Sequence, residues 1–435
     1  MTGSRQVPLA AIHPIGRASS PFEMLAIAIA VGSMGTLCFS VTAPLLPDLA
    51  DAFGVSRGSI GIVQAAVSVP GVLFSAFIGY LADRFGRRRV ILVSLLLFTV
   101  FGMAGFVTRT FGGLVAVRFV QGIGTSGLLG VGIVLVGDQF TGAARTRAMG
   151  INLTGVTFAS MLGPTVSGLL ATGGVFRPFL VFAVGFPLAL WATRMPVDAP
   201  EEVPEPPLRH VAAAVRTMRS ENTLRNFGGI LVGTFAAVII LHGLGLTTTP
   251  LYLESEFGTS VAVRGVIVAA FQVGVILTAI RIASIRDRLG VRTTITAAFA
   301  LMAAGTAAAA LAPSAWLVAA GLAIAGAGNG LYIPLAQEYS ARVGGALYRG
   351  VTVLTWVTVV RISQVAGPPG GSYLADSVGP RMTFWAASLG TVVLAFAWRP
   401  LQRLSDRGER SRRRHREAGD GVNTIAGEHR RGGDA

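Results

Sequence analysis

Hydrophobic residues fall into twelve runs, separated by short polar breaks. The runs lie at roughly 24–46, 59–81, 90–108, 112–137, 147–170, 176–193, 227–250, 262–283, 293–312, 315–336, 350–370 and 380–398. About 20 apolar residues in helical form cross ~30 Å of hydrocarbon. Backbone groups in lipid must be satisfied within the segment, so each run is predicted to be a helix. The expected fold class is all-α, a polytopic membrane protein of twelve transmembrane helices. Most breaks are short, which makes consecutive helices antiparallel neighbours.

The breaks carry an uneven charge. Fourteen arginines, from Arg84 and Arg87 to Arg342 and Arg349, lie in loops on one side. Arg57, Arg109, Arg177, Arg264 and Arg381 lie on the other. Basic loops stay in the cytoplasm, so both termini are predicted to be cytoplasmic and the chain to lie in the plasma membrane.

Composition narrows the picture further. Of 435 residues, 52% are hydrophobic and 13% charged, against about 25% charged in soluble domains. The 36 basic residues are all arginine and outnumber the 21 acidic ones, giving a net charge of +15. The arginines sit in loops and a tail, so they point to topology and anionic lipid and away from nucleic acid. One cysteine, Cys38, rules out an internal disulfide. The segment Met1–Pro21 lacks a cleavable signal pattern, being broken by His13, Pro14 and Arg17. No nucleotide-binding loop, metal cluster or catalytic triad appears, so neither ATP nor a cofactor is expected and the chain is not read as an enzyme.

Two halves are visible. At a fixed offset of 204 positions, Phe53-Gly54 matches Phe257-Gly258, Gly61 matches Gly265, and Asp83-Arg84-Phe85-Gly86 matches Asp287-Arg288-Leu289-Gly290. Gly122 and Gly124 map to Gly326 and Gly328, and Gly163-Pro164 to Gly367-Pro368. Chance likeness of apolar helices would not hold one register over these glycines, prolines and charges. The predicted organisation is a cytoplasmic N-terminal segment (1–21), a six-helix half (22–194), a cytoplasmic linker (195–224), a second half (225–399) and a basic, disordered tail (400–435). The linker's Pro196–Pro207 stretch is too polar to pack. Leu208, Val211, Val215 and Met218 then share one helical face, suiting an interfacial helix or a solvated one.

The break at Gly79-Tyr80-Leu81-Ala82-Asp83-Arg84-Phe85-Gly86-Arg87-Arg88-Arg89 has more structure than a topology signal needs. Gly79 and Asp83 are four apart, on one helix face, where a backbone can approach another helix and the acid can cap it. The stretch resembles the signature loop between helices 2 and 3 of the major facilitator superfamily. That resemblance implies that Asp83 and Arg87 hold a charge cluster closing the cytoplasmic gate, joined by Asp138 at the end of the fourth helix. It also implies two parallel halves with substrate held between them near the midplane. The second copy departs from the signature, with Ala283 for the glycine and Val291 for the arginine, so the cluster around Asp287 is expected to be weaker.

Arg118-Phe119-Val120-Gln121-Gly122-Ile123-Gly124 resembles the superfamily's R-x-x-Q-G-x-G element, which implies a coupling role for Arg118. A charge within a span costs about 2.5–3.5 kcal/mol on the insertion scale, so it faces protein or snorkels outward. In the fifth run, Gly155, Ala159, Gly163 and Ser167 recur every four residues and make one smooth face. Pro164 bends the helix there. Gly150 to Gly168 resembles the antiporter signature, with Ala159 and Ser167 where glycine is usual, and this implies export.

Few other polar residues lie inside the runs. Gln121, Gln272, Asn329, Arg361 and Gln364 are the substrate-site candidates, although a lone Gln or Asn also bonds a neighbouring helix. A free imidazole titrates near neutrality, so His242 is the second coupling candidate, or a packing histidine. Arg361 lies about 18 Å into its helix. It bonds helix-end carbonyls or meets the substrate. No Asp or Glu lies mid-span, so a neutral or anionic cargo is favoured over a permanent cation. The resemblance, covering residues ~22–399, implies a secondary active transporter, monomeric, exchanging protons for a small organic molecule. An importer or uniporter on the same fold is the alternative, followed by a membrane sensor.

Overall fold

A computed structural model describes residues 20–140, 142–195, 223–343 and 345–396. The expected N-terminal segment, most of the linker, and the basic tail lie outside the described residues. Among the described residues twelve helices follow in order. The first is α1, from Pro21–Thr42 through a 3₁₀ turn at Ala43–Leu45 to Leu46–Phe53. Next come α2 (Ile62–Phe85), α3 (Arg87–Ala104), α4 (Phe111–Gln139) and α5 (Gly142–Ala171). The sixth, α6, joins Arg177–Val184 to Gly185–Ala192. The seventh, α7, runs from Thr223–Ile239 through a wide π-helical stretch, Ile240–Thr248, to Thr249–Phe257. The rest are α8 (Val261–Ala279), α9 (Ile282–Leu311), α10 (Ala315–Val343), α11 (Gly345–Val378) and α12 (380–396). No strand occurs among the described residues.

Among the described residues, seven stretches are long and apolar enough to cross a membrane: Pro21–Phe53, Arg147–Ala171, Phe227–Phe257, Val261–Ala279, Ile282–Leu311, Ala315–Val343 and Gly350–Val378. Ile62–Ser75 and Arg177–Ala192 are shorter apolar helices.

The bends have local causes. Pro44 and Pro47 lack N–H groups and tighten α1 into its 3₁₀ turn. In α7, Thr247 and Thr249 donate to the carbonyls of His242 and Leu244, five residues back, and so support the wide turns. Gly290 breaks α9 at φ 75°, as Gly86 ends α2 at φ 86°. Both backbones are ones that a side chain disfavours.

The repeat is structural as well as sequential. A methyl group at Gly122 would stand 2.4 Å from the Val67 carbonyl oxygen, and one at Gly326 would stand 2.0 Å from that of Phe271. Gly124 and Gly328 meet the carbonyls of Ser94 and Ala298 in the same way. Each partner is shifted by the same 204 positions. So α2 and α3 pack on α4 as α8 and α9 pack on α10, with backbones close enough that only glycine fits. Each half has its own apolar core, one around Ile27, Leu45, Phe98 and Phe179, the other around Tyr252, Phe299, Tyr332 and Phe384.

Candidate functional site

The halves meet at the end of the bundle away from the loops at 79–89 and 283–292. Here that meeting place is the far end, and the opposite one the signature-loop end. At the far end a methyl on Gly61 in the loop before α2 would lie 2.3 Å from the Pro368 carbonyl oxygen of α11. One on Gly265 of α8 would lie 2.3 Å from that of Pro164 in α5. These contacts are repeat-related, so the seal is two-fold symmetric. Two ion pairs cross beside them. Arg264, 2% exposed, donates to the Asp48 carboxylate, to the Pro44 carbonyl at 3.1 Å and to the Thr259 carbonyl at 2.8 Å. Arg57 donates to Glu254 and lies 3.7 Å from Asp51. The Glu254 bond chiefly holds the Arg57 guanidinium above its ordinary range, against a smaller opposing effect of burial. Ser372 adds a bond to the Gly58 carbonyl, 2.7 Å.

The sequence places Arg57 and Arg264 among the loop charges and does not reveal that they seal this end. The fourth residue after the Ser260 cap is Arg264, already inside α8, and that position was the available signal.

At the signature-loop end the spacing is open. Methyl groups at Gly79, Gly150, Gly228 and Gly350 would meet no atom within 4 Å. The backbone approach expected at Gly79 is therefore not made here. Gly86 serves as the sharp turn between α2 and α3. Arg87 is partnered, while the side chains of Asp83 and Asp138 lie outside the described residues. In the second half Asp287 bonds the adjacent Arg286 at 3.1 Å and is 68% exposed. Arg286 also reaches Glu338 at 3.1 Å, joined by Arg342. The cluster of the second half thus runs through Arg286, one residue before the signature acid.

Between the ends lies a polar layer. Arg118 is fully buried and so does not snorkel. It donates to Gln121 Oε1, to the Cys38 carbonyl and to Thr42 Oγ1, and faces the Phe182 ring at 5.9 Å. Gln64 and Ser167 bind the Phe39 and Val41 carbonyls. Together they hold α1 just before its 3₁₀ turn. Gln121 thereby orients Arg118, and its Nε2 has no partner among the described residues.

Across the interface, Arg361 of α11 lies against α2, its Cζ 3.3 Å from where a Gly71 methyl would be. It donates to Gln364 Oε1 at 3.4 Å. The Gln364 Nε2 lies 3.4 Å from His242 Nε2. His242 Nδ1 is 3.3 Å from the Val238 carbonyl, and the ring meets Phe39 of the other half edge-on at 5.2 Å. His242 is the one histidine among the described residues. Gln272 bonds Ser160 across the halves at 3.2 Å. Asn329 instead donates to the Ala237 carbonyl within its own half, 2.8 Å, as a helix-to-helix tie.

The smooth face of α5 is used on two sides. Gly155 and Gly163 face Ile29 and Ser40 of α1, while Gly168 faces the Val261 carbonyl of α8. Pro164 lies inside the helix.

The family model of the Major Facilitator Superfamily matches residues 25–255 and 230–426. The chain belongs to that superfamily. Its matching relatives are transporters and not enzymes, and the chain is a multi-pass membrane protein of this transporter fold. The chain is 29% identical to a chloramphenicol resistance protein of Streptomyces lividans over 204 residues, 46% of this chain and 52% of that protein. It is 30% identical to multidrug resistance protein D of Escherichia coli K12 over 188 residues, 41% of this chain and 46% of that one. The matched region thus spans about half the length of these curated relatives. The fold resembles that of a bacterial homologue of the lysosomal transporter Spinster, at TM-score 0.69 and 17% identity, covering 89% of this chain and 98% of that one. It also resembles the nucleoside transporter NupG, at TM-score 0.71 and 12% identity, over 88% and 98%.

Proposed function

We propose that this transporter is a proton-linked exporter of a small organic molecule, working by alternating access in the plasma membrane with both termini cytoplasmic. On that orientation the signature-loop end faces the cytoplasm, and the arrangement described here is inward-open. The observation that carries the reading is the placement of His242. An ionisable imidazole sits beside the central arginine, next to the other half, between the sealed end and the signature-loop end. Cargo and proton can then compete for one polar layer, and only one side reaches it at a time. The glycine faces of α5 and α8 support rocking of the halves, since smooth surfaces slide without unpacking. Two relatives with resistance names support export, and chloramphenicol serves as a first probe.

The test uses inverted membrane vesicles with an imposed acid interior. Chloramphenicol, followed by a resistance-type panel, should enter the vesicles and draw protons out, read by a pH-sensitive dye. His242→Gln should lower proton exit about tenfold or more while leaving gradient-free counterflow. Uptake that ignores the pH gradient would exclude proton linkage. The absence of any cargo flux would exclude export of this panel.

A further inference from the structure

We propose that Arg361 is an anion-binding site for the cargo, and that the preferred cargo is an organic carboxylate with an apolar ring. The inference rests on the transport reading above and names its substrate class. Three arginines among the described residues lie within helices, buried or half-buried, in the polar layer or at the far-end seal: Arg118, Arg264 and Arg361. Two of them are enclosed by protein. Arg118 has three acceptors and no exposure, and Arg264 has two carbonyls and a carboxylate. Arg361 differs. It is half-buried, and its one hydrogen bond among the described residues is the 3.4 Å contact with Gln364. A guanidinium carries five N–H donors in a planar fork, so most of this one's donors stay unused.

No Asp or Glu stands mid-span to neutralise it. A cation in that setting is expensive unless a counter-charge arrives. The fork matches a carboxylate bidentately. The backbone of Gly71 lets the guanidinium lie at the α2–α11 crossing, where the halves meet. An arriving anion would therefore touch both halves, as a cargo that triggers rocking must. The surroundings supply the rest of the match. Gln364 offers an amide, His242 an imidazole, and the Phe39 ring packs edge-on against that imidazole. A flat apolar body beside its carboxylate suits that corner. A permanent cation would meet Arg361 with no acid to offset the repulsion.

The experiment uses purified full-length protein and three probes that share one ring: 2-naphthoate, 2-naphthamide and (2-naphthyl)trimethylammonium. Binding is read as the rise in unfolding temperature on titration, without a gradient or vesicles. Naphthoate should bind best. Arg361→Gln should weaken it about tenfold or more, the scale of a charged hydrogen bond. Arg361→Lys, which keeps the charge but loses the fork, should fall between and controls for folding. Equal or tighter binding of the amide or the ammonium overturns the proposal. So does unchanged naphthoate binding in either variant, or no response to any probe. Because neither direction nor coupling enters this readout, its failure leaves export standing. A failed vesicle assay with intact naphthoate binding removes export alone.

Discussion

The two ends of the bundle are built from the same repeat and do opposite things. At the far end the halves touch through backbone: Gly61 on Pro368 and Gly265 on Pro164, each at the same 2.3 Å methyl distance. At the signature-loop end the glycines at 79, 150, 228 and 350 face open space. The glycine contacts there are backbone to backbone and fit by shape, with the ion pairs of Arg264 and Arg57 beside them. We expect the signature-loop end to rely instead on charges in loops, which re-pair and rehydrate. A transporter with one end of each kind closes by shape on one side and by electrostatics on the other.

The largest effect should come from filling the shape seal. Gly265→Leu puts a branched side chain where the Pro164 carbonyl sits, and no rotamer avoids backbone. Transport should fall by at least about a hundredfold while yield and unfolding temperature change little, since the clash exists in one state only. Gly61→Leu should match it, because the contact is repeat-related. If either variant transports normally, the seal is not part of the cycle.

Next in size is Asp83→Asn at the opposite end. We expect the acid to hold the signature-loop end closed when the far end opens. Losing its charge should cut flux about tenfold or more and leave the state described here favoured. Cysteine labelling from the signature-loop side reads this directly. Unchanged labelling and flux would remove the gate role.

The third effect is intermediate. Arg264→Gln removes the buried guanidinium and leaves Asp48 without its pair, at a cost of about 2 kcal/mol to the sealed state. Asp48 is 40% exposed and rehydrates, which keeps the figure low. The double variant with Asp48→Asn should cost less than the sum of the single ones. Additive effects would mean the two residues act separately.

The fold was readable in the sequence because membrane length and repeat register are strong signals. The offset of 204 paired Gly86 with Gly290 and Gly122 and Gly124 with Gly326 and Gly328, and these pairs take matching turns and backbone contacts. The site was less readable. Arg361 and His242 stood out as charges or titrating groups within apolar runs, but their common link through Gln364 needs the π-helical turn of α7, which has no sequence mark. The crossing of Arg264 to Asp48 spans 216 positions and depends on how two separate halves dock. Asn329 looked like Gln364 in sequence, yet a carbonyl of α7 lies within its reach and takes its donor.

The smallest effect separates geometry from charge at the seal itself. Arg57 makes the second crossing pair, but it is 33% exposed and its partner Glu254 28%. Water competes for both ions, so Arg57→Gln should shift the sealed state by only about 0.2–1 kcal/mol. Its guanidinium is held above its ordinary range, mainly by the Glu254 bond. A raised cation loses its stabilising contribution only as pH rises past that ordinary range, so neutral pH should not switch the pair. Salt should, because exposed pairs are screened within about 10 Å at 0.1 M. Wild type and Arg57→Gln should therefore converge at high salt, while Arg264→Gln keeps its deficit. Far-end labelling over a salt series measures both. If Arg57→Gln instead matched Arg264→Gln in size and ignored salt, the rim pair would have to be as desolvated as the buried one, and the far end would be closing by charge after all.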